Sequence, residues 1–271
     1  MVGEIDRWKE YWKTKICDVG PNKVLIRGYP VQELIGNLSY AEVLYLILKG
    51  ELPDEKTAKV FEATLLTVID HGFLNAATPT ARFVVSGNPS IIAGIAAGIL
   101  SIGFWTGGAQ QYTAEFINEA YNLMKKENLT MEETAKKVVE KYLKEKKRIP
   151  GFGHPLHNPD PRAEQLYRVA EKYGKVGEKL KLYKAIHAEF VKQTGKNIPI
   201  NCDGMMGAIL TELGFDPEIM NALAAVCMLP GIIAHAYEEL KEGTPVRILP
   251  DIITTYIGKP ERHLPEEKKK I

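Results

Sequence analysis

Apolar residues recur at helical spacing along most of the chain. Within residues 55–69, for example, Val60, Ala63, Thr64, Thr67 and Val68 fall on one side of a helix. Similar patterns, bounded by glycine, proline or capping residues, predict helices over residues 7–15, 31–35, 40–49, 55–69, 90–105, 110–125, 131–146, 162–173, 176–194, 204–213, 217–228 and 232–240, with a further start near 78–82. The alternating pattern of a half-buried strand is almost absent.

Two helix starts carry a specific signal. Ser39 is followed three residues later by Glu42, and Thr130 by Glu133, which is the spacing of a capping box. Only residues 23–30 and 198–201 read as extended. The pattern therefore predicts an all-α fold, with Pro230 kinking or restarting the chain between its last two helices.

One long segment carries no charge. It runs from Phe83 to Ala114, and the part from Ile91 to Trp105 is nearly all apolar. That part is shorter than the roughly 20 residues a membrane-spanning helix needs, so we expect a buried helix and no membrane association. Gly94 and Gly98 would let another helix pack closely, at the centre of a domain or at a dimer interface.

Composition narrows the classes of protein without choosing a function. The chain has 271 residues and a formal net charge of +1, so no overall field indicates nucleic acid as a partner. Three scattered cysteines, Cys17, Cys202 and Cys227, indicate free thiols rather than a disulfide framework or a zinc site. With no apolar leader at the N-terminus, we expect a cytoplasmic protein.

Candidate chemistry lies in three short segments. Residues 151–162 form a stiff loop with two glycines, three prolines, two histidines and an arginine, which suits binding and protonating a carboxylate-bearing substrate. The others are Asp70-His71-Gly72 and residues 201–204, Asn-Cys-Asp-Gly. Taken singly, each has an ordinary structural explanation as a connector or a helix cap, and no nucleotide-binding or metalloprotease motif is present.

Together these segments resemble the citrate synthase superfamily, and most closely its short citryl-CoA lyase branch. The resemblance runs from about residue 12 to residue 250. The segments that carry it are residues 27–29 (Arg-Gly-Tyr), 38–53, 70–72, 96–99, 107–109 (Gly-Gly-Ala), 151–154 with 160–162, 201–204 and 230–235 (Pro-Gly-Ile-Ile-Ala-His).

The resemblance implies an all-α homodimer, with a large domain at 1–108 and 215–271 and a small domain at 109–214. It implies that His154 binds the keto or hydroxyl oxygen and shuttles its proton, and that Asp203 exchanges a proton with the acetyl methyl group. Arg162 and His71 would bind the dicarboxylate. These roles suit carbon–carbon chemistry beside a thioester, which needs a base for a weakly acidic C–H and a donor for the developing alkoxide.

For the CoA ester we expect contacts from Lys147, Arg148, Gly151 and Gly153. Lys147 and Arg148 belong to the basic run 144–148, which otherwise reads as a solvated helix end. No bound cofactor and no metal are expected, because the CoA thioester is itself the substrate.

Two positions depart from the family. Thr106 stands where synthases have a histidine before Gly-Gly-Ala, which favours the lyase branch, and Met228 stands where many members have a carboxylate-binding arginine. Another arginine could bind the substrate carboxylate instead: Arg82 from the same chain, or Arg247 from the second subunit of a dimer. If neither does, we expect a substrate that lacks this carboxylate.

Three functions stay open on the sequence. The first is cleavage of citryl-CoA to acetyl-CoA and oxaloacetate, with or without a separate ligase that makes citryl-CoA. The second is citrate or 2-methylcitrate synthesis at the same site. The third is a CoA-ester-binding or regulatory subunit without efficient catalysis.

Overall fold

The computed structural model describes residues 11–103 and 105–269, and within them the fold is mostly helical. This confirms the predicted fold class. The helices are α1 (Val31–Leu34), α2 (Tyr40–Lys49), α3 (Glu55–Leu66), α4 (Ala77–Gly87), α5 (Ile91–Leu100), α6 (Ala109–Lys126), α7 (Met131–Lys144), α8 (Pro161–Lys172), α9 (Glu178–Thr194), α10 (Cys202–Glu212) and α11 (Met220–Glu242). Both predicted capping boxes are present, at the starts of α2 and α7.

A small antiparallel sheet precedes the helices. Strands β1 (Cys17–Gly20), β2 (Lys23–Ile26) and β3 (Tyr29–Pro30) lie in that order, with Cys17 opposite Ile26 and Ile26 opposite Tyr29. The Arg27 side chain, in the turn between β2 and β3, donates from Nε (3.0 Å) and Nη2 (2.6 Å) to the Ile47 carbonyl, which fastens the sheet to α2. The extended prediction for 23–30 is thus correct, while β1 was missed.

The predicted N-terminal helix over 7–15 is wrong for residues 11–15, the part that the structure describes. Residues 7–10 lie outside the described residues, and residues 11–15 are turn and coil. Here Ile16 N–H donates to the Thr14 hydroxyl oxygen at 3.1 Å. Such a local side-chain bond competes with helical hydrogen bonding.

Pro230 lies inside α11, which is 23 residues long and is not interrupted there. The predicted restart of the chain at Pro230, and with it the division into two helices, is therefore wrong. The N–H of Gly231, the residue after Pro230, donates to the Ile69 carbonyl at 3.2 Å, so this turn of α11 is fastened to the segment before His71. This helix is also apolar and long enough to span a membrane by length and composition alone, but core helices pass the same test, and α11 packs on α4 and α5.

The small residues of α5 face this chain's own helices. A Cβ at Gly98 would lie 2.9 Å from Ile232 Cγ2, and one at Gly94 would lie 2.5 Å from Val85 Cγ2. The predicted close approach therefore occurs against α4 and α11, within one chain. The opposite side of α5 exposes Ile92 (75%) and Leu100 (85%).

At the centre, α10 packs against α6 with nearly every residue buried. Gly207 allows this, since a Cβ there would lie 2.6 Å from the Gln110 carbonyl oxygen. The close crossing brings the start of α6 beside the start of α10. The main core cluster joins residues from both predicted domains, such as Val60 and Ile232 with Ile117 and Met206, and the division into domains stays a prediction.

Candidate active site

The histidine loop is fastened to the start of α10. Phe152 forms an isolated antiparallel bridge with Ile200, and Gly153 N–H donates to the Pro199 carbonyl at 2.8 Å. Asn201, the N-cap of α10, donates from its backbone N–H to Gly151 O (2.9 Å) and from its side-chain amide to Gly153 O (2.6 Å). The loop that carries His154 and the helix that carries Asp203 are thereby held in one rigid arrangement.

Glycine at position 151 is required by this packing. Its φ is +76°, and a Cβ there would lie 2.5 Å from Gly204 Cα and clash with the Tyr183 hydroxyl. Close backbone contact between the loop and α10 thus accounts for Gly151. Contacts of Gly151 and Gly153 with a CoA ester remain a prediction.

Asp160 orients Arg162. The Asp160 carboxylate caps α8 and accepts from Arg162 Nε and Nη2, both at 3.0 Å, and from the Cys202 N–H at 2.9 Å. Burial by itself raises the pKa of Asp160, but the hydrogen bonds from Arg162 and Cys202 outweigh it and hold the pKa at about 2. The carboxylate is therefore ionised at neutral pH and holds the guanidinium fork in a fixed plane.

Arg162 also faces two histidines. Its Nη1 lies 3.5 Å from His71 Nδ1, and its Nη2 lies 3.4 Å from His154 Nε2. The ring of His157 stacks on that of His154, with centroids 4.4 Å apart and an interplanar angle of 25°. Burial, followed by the neighbouring positive groups, lowers the pKa of both His71 and His154, so both rings are neutral at pH 7.

The hydrogen bonds of His154 fix its tautomer. Its Nδ1 accepts from the backbone N–H groups of Leu156 and His157, each at 3.1 Å. In the neutral ring the proton therefore lies on Nε2, the atom that faces Arg162. Two donors, His154 Nε2–H and Arg162 Nη2–H, converge on one place, which is an arrangement for an oxygen that carries or develops negative charge.

His71, His154 and His157 also place one nitrogen each within 4.8 Å of one another, as a metal site would. The permanent positive charge of Arg162, within 3.5 Å of two of those rings, opposes a cation there. The cluster is better suited to an anion, such as a substrate carboxylate.

Asp203 lies in the first turn of α10 and retains some exposure. Its Oδ1 accepts from Gln110 Nε2 at 2.7 Å. Burial raises the pKa of Asp203, and the charge of Arg162 opposes that effect only in part. A carboxyl with a raised pKa exchanges a proton near neutral pH more readily than an ordinary aspartate does.

His71, His154, Arg162 and Asp203 line one cavity of about 400 Å³, here named the acid–base cavity. Thr106 and Met228 lie in its wall, so both departures from the family pattern face the same space. The functional side chains lining it are His71, Asn75, Thr106, His154, Arg162, Cys202, Asp203 and Met228.

A second cavity of about 570 Å³, the basic cavity, adjoins the first at residues 153–155, which line both. Its lining includes Lys147 and Arg148, whose binding of CoA phosphates stays a prediction, and also Lys196, with Phe152 and Phe190 in the wall. Lys147 also pairs with Glu145 at 2.8 Å. The geometry thus places three cations beside the loop that carries His154.

The structure does not bring Arg82 and Arg247 into the acid–base cavity. Both bind the buried carboxylate of Glu239, Arg82 Nε at 2.6 Å and Arg247 Nε at 2.5 Å. In this chain the buried Glu239 carboxylate therefore forms an ion pair with each of the two guanidinium groups. Their role in substrate binding stays a prediction.

Three residues with a place in the site were not predicted as site residues. Asp160 could have been found, because an aspartate directly before Pro161 is a helix-cap signal. His157 lies three residues after His154 in the same loop. Gln110, 93 residues from Asp203, has no sequence signal of its own.

The family model described as "Citrate synthase, C-terminal domain" matches residues 10–67 and 53–249. The chain belongs to the citrate synthase family. Among curated members of the citrate synthase family, citrate synthase 2 of Bacillus subtilis is 29% identical over 210 residues, covering 76% of this chain and 54% of the relative. The 2-methylcitrate synthase of Mycobacterium tuberculosis is 28% identical over 244 residues, covering 88% and 58%. The chain thus spans about half the length of these curated relatives.

One solved structure matches this chain over nearly the whole length of both. The citryl-CoA lyase of Hydrogenobacter thermophilus is 38% identical, with a TM-score of 0.87 and coverage of 94% of this chain and 98% of that one. A citrate synthase from Thermoplasma acidophilum shares the fold at 24% identity and a TM-score of 0.66, covering 86% and 61%.

Proposed function

We propose that the protein is a citryl-CoA lyase, which cleaves citryl-CoA to acetyl-CoA and oxaloacetate. The observation that carries the proposal is the acid–base cavity, where the convergent donors His154 Nε2–H and Arg162 share one space with the Asp203 carboxyl. Similarity to a citryl-CoA lyase over nearly the full length of both chains supports this reaction.

In cleavage, the bond between the acetyl methylene carbon and the hydroxyl-bearing carbon breaks. Its electron pair passes to the methylene carbon, giving the thioester enolate, while the hydroxyl oxygen loses its proton and becomes the keto oxygen. Protonated Asp203 delivers a proton to the enolate carbon, which yields acetyl-CoA. The raised pKa of Asp203 supports this role, because it keeps the proton on the carboxyl to higher pH.

His154 exchanges a proton with the hydroxyl or keto oxygen of the substrate. In the condensation direction the neutral ring donates from Nε2–H to the keto oxygen as it becomes an alkoxide, with Arg162 stabilising the same charge. By microscopic reversibility, cleavage starts with a proton on Asp203 and with His154 as the imidazolate, whose unprotonated Nε2 takes the hydroxyl proton. The two backbone N–H groups on Nδ1 stabilise the ring in that state.

Thr106 favours the lyase over a synthase. The family resemblance assigns synthases a histidine at this position, as a donor to the thioester oxygen. Thr106 lies in the wall of the acid–base cavity and offers a hydroxyl instead of an imidazole. The alternative, citrate or 2-methylcitrate synthesis, is supported by the names of the curated relatives.

We further propose that the basic cavity holds the CoA moiety. Lys147, Arg148 and Lys196 supply positive charge for phosphates next to the reacting groups.

We also propose that the protein is a homodimer. Residues 244–269 are exposed throughout, and they carry large apolar side chains such as Ile252 (92%) and Ile257 (93%). With Ile92 and Leu100 on α5, they give an apolar surface that a second copy would cover.

The test compares two reactions of the purified protein: release of oxaloacetate from citryl-CoA, and release of CoA from acetyl-CoA plus oxaloacetate. We expect efficient cleavage, and at least a ~10²-fold loss in Asp203→Asn with unchanged CoA-ester binding. Asp216→Asn, the same change at an exposed aspartate, is the control. Condensation without cleavage would establish the synthase, and CoA-ester binding without either reaction would establish a non-catalytic subunit.

A further inference from the structure

Gln110 makes a contact that the mechanism above leaves unused. It lies near the start of α6 and is fully buried (0% exposed). Its Nε2 donates to Asp203 Oδ1 at 2.7 Å, a well-formed hydrogen bond. The remaining neighbour on that side is Met206 Sδ at 4.0 Å, a weak acceptor.

The other half of the Gln110 amide has no partner among the described residues. Its Oε1 is buried and accepts no hydrogen bond. An unpaired buried carbonyl costs about 1–3 kcal/mol, so an apolar side chain of the same shape would suit the fold at least as well. The amide therefore does not serve packing, and its useful contact is the one with Asp203.

The backbone makes that contact rigid. A Cβ at Gly207 would lie 2.6 Å from the Gln110 carbonyl oxygen, so α10 and α6 touch directly at this position. Asp203 lies one turn before Gly207 on α10. The distance between the amide and the carboxylate is thus set by helix packing and not by a mobile loop.

We propose that Gln110 is a positioning residue for Asp203: its amide binds Oδ1 and leaves Oδ2 as the oxygen that exchanges the substrate proton. The inference rests on the role proposed above for Asp203. It adds a residue that holds the carboxyl in one orientation while the carbon–carbon bond is broken or formed.

The contact also sets the protonation of Asp203. A donor to Oδ1 stabilises the ionised form and thus opposes the effect of burial, which raises the pKa. Removing the donor should raise the pKa of Asp203 by a further one to two units, roughly, because a hydrogen bond to a charged group has about that strength.

The experiment replaces Gln110 by methionine, which keeps the length and removes the donor. Gln111→Met is the matched control: it is the same change at the next position, where the side chain contacts Glu115 and Asn221 instead. Infrared difference spectra of each variant against its Asp203→Asn double mutant report the titration of Asp203 without any turnover.

We expect the titration midpoint of Asp203 to rise by roughly one to two pH units in Gln110→Met and to stay at the wild-type value in Gln111→Met. The alkaline limb of kcat for citryl-CoA cleavage should rise in parallel, since cleavage needs the protonated acid. The KM for the CoA ester should be unchanged, because Gln110 does not line either cavity.

An unchanged midpoint in Gln110→Met would overturn the proposal, whatever the activity. A shifted midpoint in a protein without lyase or synthase activity would support the contact and overturn the proposed function alone. If Gln110→Met does not fold, Gln110→Glu is measured instead. A second carboxyl beside Asp203 should raise the titration midpoint of Asp203 above the wild-type value. A wild-type midpoint in Gln110→Glu would overturn the proposal.

Discussion

Asp160→Asn is the change whose effect the structure specifies best. The Asp160 side chain is fully buried (0% exposed), and Arg162 is 21% exposed. The carboxylate accepts the Arg162 fork and the Cys202 N–H, and asparagine would replace one acceptor by an NH₂ group that faces the guanidinium. Breaking a buried ion pair by removing one partner costs about 3–5 kcal/mol.

The pKa of Asp160 gives an independent measure. It falls from an ordinary 3.8 to about 2, which corresponds to roughly 2 kcal/mol at about 1.4 kcal/mol per unit. We therefore expect Asp160→Asn to lower the free energy of unfolding by about 3 kcal/mol at pH 7. Because the folded-state pKa is lowered, this stabilisation is complete above pH ~4 and is lost as the pH falls towards 2.

Asp54→Asn provides the matched comparison. Asp54 also caps a helix, pairs with a cation (Lys175 Nζ at 2.9 Å) and has a pKa of about 2, mainly through that hydrogen bond. Its side chain, however, is 63% exposed, so solvent screens the pair. Since asparagine caps helices as well as aspartate does, we expect a loss below about 1 kcal/mol.

Urea denaturation followed by circular dichroism at pH 7 and pH 3 measures both variants. The difference between Asp160→Asn and wild type should shrink by about 1 kcal/mol at pH 3. Equal losses in Asp160→Asn and Asp54→Asn at pH 7 would show that burial does not set the strength of the Asp160–Arg162 pair.

Three further predictions concern other parts of the molecule. Ile92→Glu should convert a dimer to a monomer in light scattering without lowering the free energy of unfolding of the monomer, whereas a monomeric wild type at micromolar concentration contradicts the proposed interface. Lys147→Glu combined with Arg148→Glu should raise the KM for the CoA ester more than it lowers kcat. An unchanged KM would show that these two residues are ordinary solvated charges that do not bind the CoA ester. Glu239→Gln should destabilise the fold by about 3 kcal/mol in thermal denaturation, because it removes the carboxylate shared by two arginines; a neutral effect would show that the cluster is dispensable.

The local structure that depends on short-range contacts could be predicted from the sequence. The capping boxes at Ser39 and Thr130 fixed two helix starts, because the bonds they form span only three residues. Part of the site also depends on short-range contacts. Asp160 binds Arg162 only two positions away. The prolines and glycines of the loop restrict the backbone between His154 and the start of α8. Residue types and short spacing suffice for such contacts.

Tertiary packing decided what the pattern could not. Pro230 lies inside a continuous helix that bonds through Gly231 to the distant Ile69 carbonyl, and neighbouring helices fill the space that Gly94 and Gly98 leave. These outcomes depend on which segments meet in the core. A pattern along one helix shows that a face is apolar or small, but not which partner covers it.

The site shows the same division. His71 reaches Arg162 across 91 residues, and Gln110 reaches Asp203 across 93. Likewise Arg82 is held by Glu239 across 157 residues and does not line the acid–base cavity. The Gln110–Asp203 contact follows from the close crossing of α6 and α10, and the Arg82–Glu239 contact from the packing of α4 on α11. These contacts form only when distant helices meet in the folded chain.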